Sequence, residues 1–256
     1  MADNPRKGAA RIADVPPGVL ADLNAGRIEA ATLSENLATD FGLLLSHVLP
    51  DLASRAHEID PRAGVTRRMA MVADLVLAGD AENRIAHLAR HPSDLARGWA
   101  TFALAALPGL PLADRLSRIR PFADDPHFGV REWAWLALRP HVVEAPGEAI
   151  ELLTPWASDP SANIRRFAIE ATRPRGVWCA HIAALKSDPE PGRALLGHVR
   201  ADPSRYVQDS TANWLNDAWK SRPDWVEALC SSWTAESPGP ATAYIVRRAL
   251  RNRPTA

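Results

Sequence analysis

A chain of 256 residues with 46% hydrophobic side chains can bury a sizeable core, as one large domain or two small ones. Its 30 Lys+Arg balance 30 Asp+Glu, so bulk charge gives no sign of a nucleic-acid partner, which would need its basic residues gathered on one face. Two cysteines, Cys179 and Cys230, exclude a disulfide framework and a four-cysteine zinc site and fit a reducing compartment, the cytoplasm. No apolar run has the length of a signal-peptide core or a bilayer span.

Residues 1–14 are polar and are expected to form a flexible tail. Pro17 suits a first helical turn, and Asn24-Ala25-Gly26 stops the helix that follows. Thr32-Leu33-Ser34-Glu35 places a hydroxyl three residues before a glutamate, the pattern of a capping box. Leu33, Leu37, Phe41, Leu44 and Leu45 then recur at helical spacing, and the spacing predicts one helix running to the break at Leu49-Pro50-Asp51. His47 in this helix reads more simply as a surface or core histidine than as a ligand or base. Thr66 to Gly79 is amphipathic, with Met69 and Met71 as core filler, and a further helix runs from Asp80 to His91.

From here the sequence repeats itself. A proline, a few polar residues and an aliphatic-basic pair precede each apolar helix. His91-Pro92 stands ahead of Arg97, Asp125-Pro126 ahead of Val130-Arg131, Asp159-Pro160 ahead of Ile164-Arg165, and Asp202-Pro203 ahead of Val207-Gln208. The prolines lie 34, 34 and 43 residues apart, and a diverged fifth unit starts near Ser237-Pro238. This spacing with two helices per unit predicts HEAT-like repeats. No strand alternation or hairpin signal competes. The expected architecture is all-α: a HEAT-like repeat α-solenoid with a concave basic surface, forming a single domain over residues 15–256, with roughly 12 short helices by the mean-length prior.

Most such arrays bind other proteins, so a protein-interaction scaffold is one reading, and chemistry has to be argued from residues. Arg166, Glu170 and Arg173 fall at i, i+4 and i+7, a solvated ion-pair face or part of a site. Arg173-Pro174-Arg175-Gly176-Val177-Trp178 follows, and arginines at such a turn suit phosphate contacts. Further on, Asn213, Trp214, Asn216 and Asp217 crowd a helix that Asn and Asp do not favour, unless the helix simply ends there, before Lys220 and Pro223. From Pro160 to Arg222, ten basic residues face six acidic ones, a local excess of four in a neutral chain. Basic residues interleaved with tryptophans fit a DNA backbone track. No Cys/His cluster has metal-ligand spacing and no Gly-rich phosphate loop is present, so neither metal nor cofactor is expected. Cys179 reads as a small packing residue rather than a nucleophile.

Ile164-Arg165-Arg166-Phe167-Ala168-Ile169-Glu170-Ala171-Thr172-Arg173-Pro174-Arg175 with Trp178, followed by Tyr206-Val207 and Ala212-Asn213-Trp214-Leu215-Asn216-Asp217 with Lys220 and Pro223, resembles AlkC-type DNA alkylation-repair glycosylases of the HEAT-like AlkC/AlkD superfamily. The resemblance is strongest over residues 125–225. It implies hydrolysis of the N-glycosidic bond of cationic alkylated bases such as 3-methyladenine, in double-stranded DNA, by a cytoplasmic monomer. It places Asp217 and Glu170 as two catalytic carboxylates. A third acid of the family falls where this chain has Trp135, before Leu136-Ala137-Leu138-Arg139-Pro140, and Glu132, one turn earlier, is the candidate substitute. Arg166, Arg173, Arg175, Asn213 and Lys220 are expected to bind DNA. Trp135, Trp178 and Trp214 are candidates for contacting the lesion or its sugar, with core packing the competing role for each. Some members carry a C-terminal immunoglobulin-like domain; none is expected here. The rival to an enzyme within this resemblance is a DNA-binding protein that recognises distorted or branched DNA without cleaving it.

Overall fold

The computed structural model describes residues 6–253, and these contain α- and 3-10 helices but no strand. The α-helices are α1 (Pro17–Asn24), α2 (Leu33–Ala38), α3 (Phe41–Val48), α4 (Val65–Leu77), α5 (Ala81–Leu88), α6 (Asp94–Ala106), α7 (Leu112–Ala123) and α8 (Phe128–Glu144). They continue with α9 (Pro146–Leu153), α10 (Ala162–Ala171), α11 (Ala183–Ser187), α12 (Arg193–His198), α13 (Arg205–Trp219), α14 (Pro223–Glu236) and α15 (Pro240–Ala249).

The repeat signature has a structural meaning. In the three Asp-Pro markers the aspartate side chain accepts from the backbone N–H two residues on, closing the turn around its proline; at the first marker His91 Nδ1 accepts from Ser93 N in the same way. Asp125 takes His127 N, Asp159 takes Ser161 N and Asp202 takes Ser204 N, each at 2.8 Å. The basic residue that follows folds back onto the carbonyls flanking the turn. Arg97 donates to His91 O and Pro92 O, Arg131 to Asp125 O and Pro126 O, and Arg165 to Asp159 O and Pro160 O. The same guanidinium reaches the next aspartate: Arg97 Nε meets Asp125 at 2.9 Å, and Arg165 meets Asp202 at 2.6 and 2.9 Å. One arginine thus ties its own turn to the following repeat, which the spacing in sequence reflects.

The chain divides into two compact units where a single domain is expected. One comprises Met1–Pro111 with Asp125–Ala137, the other Leu112–Asp124 with Leu138–Ala256. Repeat arrays contact mainly their sequence neighbours, so no single core gathers the whole chain. One of the three boundaries between the units falls inside α8, in the turn where Pro140 cannot donate to the Leu136 carbonyl.

In the first unit Trp99 and Trp133 are fully buried with Leu44, Leu45, Met69 and Leu88, and Phe41 packs on Trp99 at 5.7 Å between ring centres. Gly98 permits this packing, because a Cβ there would lie 2.5 Å from Trp133. The segment read as a flexible tail is anchored over its described part. Arg6 grips the buried Glu35 at 2.6 and 2.7 Å, and Ala9 N donates to the same carboxylate; residues 1–5 lie outside the described residues. The helix expected from Leu33 past Leu45 is broken into α2 and α3. Thr39 Oγ1 back-bonds to Glu35 O, and Asp40 caps α3 through Leu43 N, so the chain restarts within the apolar repeat. In the second unit the core runs through Phe167, Leu195, Leu196, Trp214, Leu215 and Ile245. Trp156 packs on Phe167 at 5.3 Å, and Trp214 on Trp225 at 6.2 Å.

Candidate active site

The second unit brings together most of the residues singled out in the sequence. Ser161 caps α10 through Asn163 N, and the stripe Ile164, Phe167, Ala168 and Ala171 buries one side of that helix. Glu170 is carried into the interior with it and is only 3% exposed. On α13, Val207, Thr211, Trp214, Leu215 and Ala218 are buried, and Asp217, one residue before Ala218, is 4% exposed. Two isolated buried carboxylates would be far too costly to keep charged, so their partners decide what they are.

Those partners are cations. Arg173 lies just past the end of α10, and its guanidinium bridges both acids. Nη1 donates to Glu170 Oε2 at 3.1 Å, while Nε and Nη2 reach Asp217 Oδ2 at 3.0 and 2.8 Å. Burial pulls the Arg173 pKa down, but the two carboxylates outweigh it and hold the residue above its ordinary value, firmly protonated. Glu170 also accepts from Ser210 Oγ at 2.7 Å and lies 3.6 Å from Arg166, whose guanidinium sits 4.3 Å above the Tyr206 ring. Lys220, with its side chain 44% exposed, approaches the other Asp217 oxygen at 3.4 Å.

The loop after α10 projects from this cluster. Arg175 donates from Nε to the Asp217 carbonyl at 3.1 Å and from Nη2 to Ser221, fixing the loop against the end of α13. Trp178 is 48% exposed and holds a left-handed backbone at φ 61°, and Val177 beside it is 60% exposed. Such a φ is unfavourable for a bulky residue and is retained only where the surroundings impose it. Cys179 follows, half-buried, with burial pushing its thiol pKa up, which opposes a nucleophilic thiolate.

Several expected DNA contacts have other occupations. Arg173 turns its guanidinium to the two acids, with Nε, Nη1 and Nη2 each engaged by a carboxylate. Trp214 is sealed in the core at 0% exposure; its N–H donates to Thr172 O at 3.0 Å, and a Cβ on Gly192 would lie 2.7 Å from its ring. Trp135 is a core residue as well, 4% exposed, and its N–H donates to Glu132 at 2.8 Å. Glu132 and Trp135 form this pair within the part of α8 that belongs to the first unit. Asn213 accepts from Arg251, and the fully buried Asn216 donates to Ala249 O at 2.7 Å, so the two asparagines dock the end of α15.

Three members of the cluster were not singled out in the sequence. Ser210 is seven residues before Asp217 and so on the same helical face, a signal that was readable. Arg251 lies beyond α15 and is exposed; burial of part of its guanidinium, then nearby Arg248, lowers its pKa, against a smaller opposing pull from Asp217. Arg139 is described below.

The fold and site together define an all-α helical-repeat protein with a buried, arginine-bridged carboxylate pair and, following the bridging arginine, a loop with an exposed tryptophan. No protein-family model matches the sequence. Over 74 residues the chain is 38% identical to the uncharacterized protein YhaZ of Bacillus subtilis (strain 168), a stretch covering 29% of this chain and 20% of that protein. It superposes on the Pseudomonas fluorescens alkylpurine DNA glycosylase AlkC, bound to DNA containing an abasic site analog, with a TM-score of 0.61 and 26% identity. That match covers 92% of this chain and 60% of the AlkC chain, so this chain spans well under two thirds of that relative's length. AlkD2 from Streptococcus mutans superposes with a TM-score of 0.62 at 18% identity, covering 79% of this chain and 97% of its own, and shares the fold. The likeness to AlkC supports assignment to the AlkC/AlkD HEAT-like superfamily, whose helical-repeat fold the chain shares.

Proposed function

We propose that this protein is a DNA glycosylase of alkylation repair, hydrolysing the N-glycosidic bond of cationic alkylated bases such as 3-methyladenine in duplex DNA. The observation that carries the reading is the bridging of two buried carboxylates, Glu170 and Asp217, by the guanidinium of Arg173, which opens the loop that carries the exposed Trp178. A base alkylated on a ring nitrogen is already a cationic leaving group and departs without a general acid. What remains is to stabilise an oxocarbenium-like sugar and to place a water. Asp217 is the principal carboxylate: its charge opposes the developing cation, and it accepts the proton of the attacking water. Glu170, held by Ser210 and Arg173, orients that water and supports the charge. Trp178 offers its ring to the exposed deoxyribose or lesion. Arg175, Lys220 and Arg251 supply the positive charge for the flanking phosphates.

Release of methylated purines from alkylated duplex DNA tests the reading directly. The wild-type chain is expected to release 3-methyladenine, and Asp217→Asn to lose about 100-fold or more in rate. Release by Asp217→Asn at the wild-type rate would remove Asp217 from the mechanism.

A second reading is favoured by one specific observation. Where the family places a third acid, this chain has the buried Trp135, hydrogen-bonded to Glu132. A protein lacking that acid can retain the arginines and bind distorted DNA without excising a base. Salt-sensitive binding to DNA with no base release would identify this case.

A further inference from the structure

One buried cation has no part in the chemistry just described. Arg139, on α8, is 1% exposed. Its hydrogen bonds go to three backbone carbonyls: Nη1 to Ala171 O at 2.8 Å, Nη2 to Arg173 O at 2.6 Å, and Nε to Ala180 O at 2.9 Å. Burial lowers its pKa, so keeping the charge there is costly and the three bonds must offset it.

The acceptors are not scattered. Ala171 ends α10, Arg173 opens the following loop and Ala180 closes it, so one guanidinium holds both ends of the segment that carries Trp178. The loop folds closely over that guanidinium. A Cβ on Gly176 would lie 3.7 Å from Arg139 Cζ and 2.2 Å from Cys179 Sγ, so only glycine fits there. Within the loop, Ile182 N to Pro174 O at 3.1 Å is a bond across its base. A planar fork with five N–H donors can serve three carbonyls in different directions; an ammonium on a single atom cannot.

We infer that Arg139 is a positioning residue for base excision: it clamps the 172–181 loop at both ends and thereby fixes Arg173, whose guanidinium bridges the two acids, and Trp178 farther along the same loop. This inference rests on the glycosylase reading of the same site. Arg139 acts through the loop and touches neither base nor sugar.

The full-length chain carrying Arg139→Gln or Arg139→Lys, each alone and combined with Trp178→Ala, tests it in two ways. Hydrogen exchange of residues 173–182 is expected to quicken about tenfold in Arg139→Gln, with α10 and α13 unchanged. Single-turnover release of methylated purines is expected to fall about tenfold or more while the Kd for duplex DNA stays within about threefold, because geometry is lost and not phosphate contact. Arg139→Lys keeps the charge without the fork and should fall between Gln and wild type; it also serves if Arg139→Gln fails to fold. In the Trp178→Ala background the Arg139 substitutions should cost little further rate. Unchanged exchange of the loop, or a rate loss that multiplies in full with that of Trp178→Ala, would overturn the inference. If the wild-type chain releases no methylated base, the glycosylase reading itself fails, and the exchange measurement alone decides whether Arg139 holds the loop.

Discussion

Each unit of this protein buries carboxylates, and the two units do so by opposite means. In the first, Asp94 is 1% exposed at the start of α6, and among the described residues no arginine or lysine bonds to it. It accepts from Ala30 N at 3.0 Å and from Asn36 Nδ2 at 2.7 Å, with His127 at 3.4 Å. Desolvation pushes its pKa above the ordinary carboxylate range, with His127 the largest opposing influence. In the second unit Glu170 and Asp217 share Arg173, with Arg166 and Lys220 on their outer sides. The first arrangement is a tether between the α1–α2 loop, α2 and α6 in which a charge gains nothing. The second joins two carboxylates through one protonated guanidinium at the start of the loop that carries the exposed Trp178. Buried acid alone does not mark a catalytic site; two buried acids bridged by a fixed cation next to an exposed loop are a much stronger sign.

The largest effect should come from removing the bridge that separates the two cases. Arg173→Met leaves two uncompensated buried carboxylates and is expected to destabilise the protein by about 3–5 kcal/mol, read as a fall in the urea midpoint. Base release should disappear in the same variant. A stability loss below about 1 kcal/mol would mean that the acids are not held by Arg173, and the contrast with Asp94 would collapse.

The loop offers a smaller test with opposed signs. Trp178→Gly removes an unfavourable left-handed conformation from a half-exposed residue, so the protein should gain on the order of 1 kcal/mol while base release falls. Loss of both stability and activity would show that Trp178 is a packing residue.

The smallest effect is expected at Asp94. Its carboxyl has a raised pKa in the folded state, so folding favours the protonated form. That contribution to stability is fully present below the ordinary carboxylate value and is lost as pH rises through the folded pKa. Asp94→Asn removes the charge. Turning the Asn36 amide, whose Oδ1 is buried without a partner, keeps the hydrogen bonds satisfied. At pH 7 the Tm of Asp94→Asn should therefore equal or exceed that of wild type, and the difference should shrink as pH falls below about 4. A Tm loss at pH 7 that persists at low pH would show Asp94 to be bound as favourably as the second unit's pair.

Much of this molecule could be read from residues alone. The Asp-Pro markers and their arginines announced the repeats, because each marker makes a local turn and the spacing between markers is the length of one repeat. Glu170 and Asp217 stood out because carboxylates are unfavourable inside apolar helical patterns. The break between α2 and α3 was missed because the apolar spacing runs straight across a cap at Asp40. Partnership was beyond reach for a different reason. Whether Arg173 reaches Asp217, whether Trp214 is a ring in the core or on the surface, and whether Asn213 serves DNA or Arg251 all depend on residues 38 to 44 positions away in the chain. Arg139 carries no sequence signal beyond an arginine in an apolar run, since its three acceptors are backbone carbonyls that any residues would provide. The pattern of side chains determined which helices form and which charges they bury. Only the packing of α10, α13 and α15 decided which charge answers which, because a guanidinium has several donors and the tertiary fold chooses what lies within their reach.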